Sequence, residues 1–264
     1  MMMQTGRPDA AAALREGLAA LRGRWPVAFG LVAASAAIYV ILQFTGPKAS
    51  QSAPSSMTIA WRFGVMVTFL LIDGWLSMAL VRLVLDGLDS RTSPVRRLLA
   101  EGLRGMLILL PLGVILQSPY WVTPFLSVPT YWRVSAYVEF SAFLLSLASI
   151  ALWGVLATVV VSERLDLFRG FARAYRLGRR GRWPLVWAYI LLRAVAAVIF
   201  TLAPLTILRL GFWSTELWTV VYVGLRIGQM AMAMVYDVFA VAYYRQLCRL
   251  HDGVAPSEVA GLFD

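Results

Sequence analysis

The chain has 264 residues, of which 60% are hydrophobic and only 14% are charged. A soluble domain averages roughly 45–50% apolar and about 25% charged residues, so the composition excludes an ordinary soluble domain and indicates a multi-pass membrane protein. The formal net charge of +10 comes with no stacking platform or recognition motif for nucleic acid. We therefore expect no nucleic-acid partner and attribute the charge to membrane topology and to anionic headgroups.

Six apolar runs are long enough, or nearly so, to cross a bilayer, which takes about 20 apolar residues. In chain order the predicted spans are 26–44, 59–85, 105–125, 134–161, 183–208 and 217–244. The third runs into Pro119, Pro124 and Pro129, which interrupt a regular helix, so irregular backbone is expected at the outer surface there. The predicted fold class is an all-α membrane protein with six transmembrane helices in three hairpins.

Basic residues fall almost entirely on one side of this layout. Seventeen lie in the two terminal segments and in the second and fourth connections, whereas three, Lys48, Arg133 and Arg209, lie in the opposite loops. Because positively charged loops face the cytoplasm, both termini are predicted to be cytoplasmic. The predicted location is a bacterial inner membrane.

A short amphipathic segment precedes each predicted hairpin. In the third segment, a stripe that includes Phe168 and Tyr175 opposes a basic stripe. The basic residues of this predicted membrane-surface helix are Arg169, Arg173, Arg176, Arg179, Arg180 and Arg182. Such helices lie flat at the headgroup boundary with the apolar face down, so anionic membrane lipids are the expected partners.

Matches between distant parts of the chain predict a degenerate internal repeat. RGRWP occurs twice, 158 positions apart. At an offset of 164, Arg62 aligns with Arg226, and Asp73 aligns with Asp237. We therefore predict one integral domain whose three parallel units are 8–85, 93–161 and 165–244, followed by a cytoplasmic tail, 245–264.

The same alignment places small residues in register. Ala60 and Gly64 correspond to Gly224 and Gly228. Small residues four positions apart let helix backbones approach closely. Packing within the chain is the expected role, and a homodimer seam is the alternative.

Ionisable residues inside the predicted spans are the strongest functional clue, because charge is costly there. These candidates are Arg62, Asp73, Glu139, Arg193, Arg226 and Asp237. At about 1.5 Å per residue, Asp73 and Arg193 both lie about 15–18 Å from the cytoplasmic ends of their spans, which predicts an ion pair between them. Arg62, Glu139 and Arg226 are predicted to share a layer nearer the outer face. The charges either fix helix register or line a polar cavity.

Catalytic motifs are absent from the sequence. Cys248 and His251 are its only cysteine and histidine, which excludes zinc sites of clustered His and Cys, bis-His haem and a conventional Cys–His pair. No Walker loop, dinucleotide fingerprint or G-x-S-x-G elbow occurs. We expect no enzymatic activity, no cofactor and no metal.

The stretch FRGFARAYRLGRRGRWPLVWAYILL, at 168–192, resembles a signature found in the membrane domain attached to some bacterial glycerophosphoryl diester phosphodiesterases and in its stand-alone relatives. Ala172, Tyr175, Leu177 and Trp183 match that pattern. The phosphodiesterase domain itself is absent. The resemblance implies a membrane module associated with lipid metabolism or envelope function, and it carries over no catalytic residue.

Two functions remain open at this level. The first is a non-enzymatic scaffold or accessory subunit of a membrane assembly, which docks a protein partner or a second copy through its basic helices. The second is binding or transport of a lipid or a small anionic solute in a charged cavity lined by Arg62 and Arg226.

Overall fold

The computed structural model describes residues 8–45, 55–125, 128–179, 181–199 and 215–252, and all regular elements in these ranges are helices. The α-helices are α1 (Ala10–Ala20), α2 (Trp25–Thr45), α3 (Ser56–Leu88), α4 (Val95–Leu116), α5 (Val128–Trp153), α6 (Leu156–Glu163), α7 (Leu167–Gly178), α8 (Arg182–Ala197) and α9 (Thr215–Asp252). A 3-10 helix, Ser118–Phe125, lies between α4 and α5. The all-helical prediction is confirmed for the described part of the chain.

Within these ranges, three helices are long and apolar enough to cross a membrane. They are Trp25–Leu42 of α2, the whole of α3 and the whole of α4. A fourth span results if α5 and α6 are counted as one, although the two are bent by 53°. The 33 residues of α3 extend about 50 Å at 1.5 Å per residue, which exceeds the roughly 30 Å hydrocarbon core. These helices indicate a membrane protein.

The bend between α5 and α6 lies at Gly154. A Cβ at this position would lie 2.7 Å from the carbonyl oxygen of Ile150 and 3.1 Å from Cδ1 of Leu185 in α8. Glycine is one of the usual causes of a sharp helix kink. At this position a side chain would also collide with its neighbours, so glycine fits because it has no Cβ. The single span predicted for 134–161 is therefore two helices.

Helix α4 combines two predicted elements. The sequence predicts a separate interfacial helix before the third span, but α4 runs unbroken from Val95 to Leu116 with Pro111 inside it. A Cβ at Gly102 would lie 2.7 Å from the backbone nitrogen of Ala79 in α3. Because this close contact holds the N-terminal part of α4 against α3, that part continues the helix. The prediction of a separate interfacial helix in the middle unit is wrong.

The first helix packs against the last. Asp9 caps the N-terminus of α1, and its own N–H donates to Oε1 of Gln246 at 3.0 Å. A Cβ at Gly17 would lie 2.8 Å from Cγ1 of Val238. Helix α1 therefore fits directly against the C-terminal half of α9.

Two clusters of buried apolar side chains hold the helices together. The first joins α2, α3, α4 and α9 through residues that include Ala28, Val81, Val84, Leu98 and Val238. The second joins α6, α7, α8 and α9 through residues that include Leu156, Val159, Leu177, Leu185 and Tyr243. Inside a bilayer such contacts stabilise through close packing more than through exclusion of water.

Candidate functional site

The two aligned aspartates lie at the same level of two neighbouring helices. Asp73 belongs to α3 and Asp237 to α9. Both side chains line one cavity, which places them at the same level. Helices α3 and α9 pack against each other, and both pack against α2. The two carboxyl groups therefore meet inside a three-helix arrangement.

Both carboxyl groups line one cavity of about 60 Å³ between α2, α3 and α9. Its lining consists of Leu31, Val32, Ser35, Asp73, Leu76, Ser77, Leu80, Met230, Ala233, Met234 and Asp237. Apart from the two aspartates and the two serines, this lining is apolar. A water molecule occupies about 30 Å³ in the liquid, so the cavity holds a few waters or one small ion.

Each aspartate accepts a hydrogen bond from a serine hydroxyl. Oγ of Ser35 donates to Oδ1 of Asp73 at 2.9 Å, and Oγ of Ser77 donates to Oδ2 of Asp237 at 2.7 Å. Ser77 comes one helical turn after Asp73, so the two side chains share a face of α3. The hydroxyls fix the orientation of both carboxyl groups, and they link α2 to α3 and α3 to α9.

Neither aspartate forms an ion pair with a described arginine, whereas four other carboxylates that are buried or half-buried do. These four pairs are Arg82–Asp86 (3.1 Å), Arg164–Glu101 (3.0 Å), Arg173–Glu163 (3.1 Å) and Arg245–Asp89 (2.9 Å). An uncompensated buried charge costs several kcal/mol, and a second carboxylate nearby raises that cost. Within the described part of the chain, a proton or a cation is therefore what remains to compensate the pair of Asp73 and Asp237.

The predicted ion pair between Asp73 and Arg193 is wrong. Nε of Arg193 donates to the hydroxyl of Tyr189 at 3.0 Å, and its guanidinium carbon lies 5.4 Å from the centroid of that ring. Helix α8, which carries both residues, packs chiefly against α5 and α9. Counting residues gives the depth of Arg193 in the bilayer but not the helix that it faces.

Arg62, another predicted charged candidate whose side chain is described, does not line this cavity. Arg62 is half-buried on α3, eleven residues before Asp73. Glu139 belongs to α5 and Arg226 to α9, but their side chains lie outside the described residues. The layer predicted for these three residues stays a prediction.

The small residues of the aligned pairs face outward. Ala60 and Gly64 are exposed, and a Cβ at Gly64 or Gly224 would meet no described atom within 4 Å. Gly228 is half-exposed. The packing role of these four residues stays a prediction, and close contacts between described helices occur elsewhere, as at Gly102.

Helix α7 packs against the protein through the face opposite Phe168. Gly170, Ala174 and Leu177 are buried, whereas Phe168 is exposed. A Cβ at Gly170 would lie 2.9 Å from Cγ2 of Val160 in α6, so α7 lies close against α6 at this position. Phe168 and Tyr175 of the predicted aromatic stripe lie on the outside of the protein, where a stripe that faces a membrane would lie, and the flat placement of α7 at the headgroups stays a prediction.

The outer face of α7 carries aromatic and basic side chains together, and we call it the basic–aromatic face. Its exposed side chains are Phe168, Arg169, Tyr175, Arg176 and Arg179. Arg173 instead turns inward to Glu163, and Arg182 is half-exposed at the start of α8. Arg180 lies outside the described residues.

Two residues of the cavity, Ser35 and Ser77, belong to no motif recognised in the sequence. Ser35 follows the proline of the first RGRWP by nine residues, as Arg193 follows the proline of the second. The depth count that selected Arg193 therefore also finds Ser35. Ser77 is signalled by its position four residues after Asp73, on the same helix face.

No protein-family model, curated protein or solved structure matches the chain. The resemblance of residues 168–192 to the phosphodiesterase-associated membrane domain therefore rests on that segment of sequence. What the chain does has to be inferred from its own side chains.

Proposed function

We propose that the chain is a non-enzymatic multi-pass membrane protein that binds a small cation, H⁺ or Na⁺, between Asp73 and Asp237. One observation carries the proposal: both carboxyl groups line one small, otherwise apolar cavity, and no described basic side chain pairs with either. Ionisable residues inside membrane spans commonly mark ion and proton pathways.

The charge and the size of the cavity argue against the lipid or anionic solute expected from the sequence. Its ionisable lining is acidic, and its volume of about 60 Å³ is far below the roughly 300–1,000 Å³ of small-molecule sites. A proton needs no volume. Na⁺ is a hard cation, and hard cations take oxygen ligands, which the carboxyl groups and the two serine hydroxyls supply.

The proposal includes a topology of six spans in three hairpin units, in a bacterial inner membrane, with both termini in the cytoplasm. The asymmetry of basic residues supports this orientation. The alignment of Arg62 with Arg226 and of Asp73 with Asp237 at a single offset supports the repeat.

Thermal unfolding of the purified full chain in neutral detergent tests for Na⁺, with choline holding the ionic strength constant. A ligand that binds only the folded state stabilises it by about 2.7 kcal/mol at one hundred times its Kd. We expect Na⁺ to raise the unfolding midpoint, and Asp73→Asn and Asp237→Asn to abolish that response. Asp166→Asn is the matched control, because it removes an exposed charge at the N-terminus of α7 while asparagine still caps a helix.

Infrared spectroscopy separates the proton from Na⁺. If the ligand is H⁺, Na⁺ leaves the unfolding midpoint unchanged, and the wild type shows the C=O stretch of a protonated carboxyl. That band should disappear in Asp73→Asn or Asp237→Asn and persist in Asp166→Asn. A wild type with neither a Na⁺ response nor such a band would refute the proposal.

A scaffold or accessory subunit is the second candidate function. Its support is the set of ion pairs near the C-terminal end of α3, which join α3 to α9, α4 to the loop after α6, and α6 to α7. These pairs give a partner protein a surface in which several helices are fixed together. A complex of fixed stoichiometry from native membranes, together with no cation response, would favour the scaffold.

A further inference from the structure

We propose that the basic–aromatic face of α7 binds the headgroups of anionic lipids in the surrounding bilayer. Arg169, Arg176 and Arg179 lie on this face beside Phe168 and Tyr175. The side chain of Phe168 is 81% exposed, which is costly in water and favourable at the boundary of a membrane. This site is separate from the cation cavity and does not depend on it.

The opposite side of α7 fixes the orientation of this face. Gly170 and Leu177 are buried, and Gly170 meets Val160 of α6 too closely for any larger residue. Arg173, on the flank of the helix, binds Glu163 with Nε 3.1 Å from Oε1. The helix therefore cannot roll to bury Phe168 without breaking these contacts, so the aromatic and basic side chains stay on the outside.

The start of α8 places the face beside the bilayer. Trp183 and Trp187 are each 64% exposed, and Leu191 continues the same stripe one turn later. A row of large apolar side chains on the outside of a helix indicates contact with lipid, and Trp concentrates at the headgroup level. Arg179 precedes Trp183 by only four residues, so the end of α7 lies at that level.

Arginine suits a lipid phosphate, because its planar guanidinium donates two parallel hydrogen bonds to phosphate oxygens. Nε of Arg176 is already bound to the carbonyl oxygen of Ala172 at 3.3 Å, which directs the rest of the guanidinium outward. Arg169 also contacts Asp166 at 3.3 Å, but an exposed pair of this kind contributes little. Aromatic side chains between the arginines match the apolar layer just below the phosphates.

Native mass spectrometry of the full chain tests the site, with equimolar phosphatidylglycerol and phosphatidylcholine of equal chain length in neutral detergent. We expect the wild type to retain phosphatidylglycerol preferentially. Each basic residue near an anionic surface contributes about fivefold in affinity. The variant Arg169→Gln/Arg176→Gln/Arg179→Gln should therefore lower the preference on the order of a hundredfold.

The matched control is Arg15→Gln/Arg22→Gln/Arg96→Gln, which removes three exposed arginines from other helices and turns. Nε of Arg15 donates to the carbonyl of the preceding turn, as Nε of Arg176 does, so the chemistry removed is alike. This control should keep the lipid preference, and Phe168→Ser should lower it severalfold without any change of charge. An equal loss in both triple variants would overturn the proposal.

Discussion

Gly102 of α4 meets the backbone of α3 so closely that alanine at this position should push the two helices apart. The added Cβ would lie 2.7 Å from the nitrogen and 2.9 Å from the Cα of Ala79. Non-bonded carbon atoms prefer about 3.5–4.0 Å, so the backbones must separate by about 0.7 Å. Both contacted atoms belong to the main chain, and no change of rotamer relieves them.

The expected loss of stability follows from two opposing effects. Adding a methylene-sized group to a packed core costs about 1–3 kcal/mol, and the upper end applies because two backbones must move. Alanine is the better helix former by about 1 kcal/mol. Gly102→Ala should therefore lower the free energy of unfolding by about 2 kcal/mol. Because Ala79 lies two residues after Ser77, Gly102→Ala should also reduce the rise in unfolding midpoint that Na⁺ causes.

A reversible unfolding titration from neutral into anionic detergent, followed by circular dichroism, measures this loss. Gly113→Ala is the matched control in the same helix, because its Cβ would meet only Cδ1 of Leu70, at 3.3 Å, and that side chain can turn aside. Gly30→Ala meets nothing within 4 Å. Both controls should stay within about 1 kcal/mol of the wild type. A Gly102→Ala variant as stable as Gly113→Ala would refute the reasoning.

Three further substitutions test other parts of the structure. Asp166→Ala removes the side chain that caps α7 by accepting the N–H of Arg169 and should cost about 1 kcal/mol, seen as faster hydrogen exchange in α7. Leu185→Ala should cost about 2–5 kcal/mol in the detergent titration, because Leu185 is only 1% exposed; a loss below 1 kcal/mol would contradict its place in the core. Trp75→Phe removes an indole N–H that donates to the carbonyl of Leu99 at 2.7 Å. We expect it to lower the free energy of unfolding by about 1 kcal/mol, and an unchanged free energy of unfolding would contradict this.

Helix positions and the main pair of site residues could be read from the sequence. Long apolar runs gave α2 and α3, since nothing within them interrupts a helix. The offset of 164 aligned Asp73 with Asp237 but did not predict that they line the same cavity. Residues at similar positions on adjacent helices meet only with the right helix rotation, and that rotation is set by the packing.

Helix orientation and choice of neighbour could not be read in the same way. The depth of Arg193 agrees with that of Asp73, but α8 packs against α5 and α9 and leaves Arg193 with Tyr189. The amphipathic pattern of α7 separates two faces without saying which one is flat enough to pack. Gly170 decides that question through its close contact with Val160, and this contact depends on the fold as a whole.

The contact between α1 and α9 imposes an order on the assembly of the protein. Gly17 and Val238 are 221 residues apart, which a ribosome takes roughly 10–45 s to cover at 5–20 residues per second. During that time α1 has been synthesised but α9 has not. We therefore expect α1 to lie on the membrane surface as an amphipathic helix until α9 is made. A chain that stops before α9 should leave α1 accessible to proteases. The packing of the helices is complete only after α9 has been synthesised.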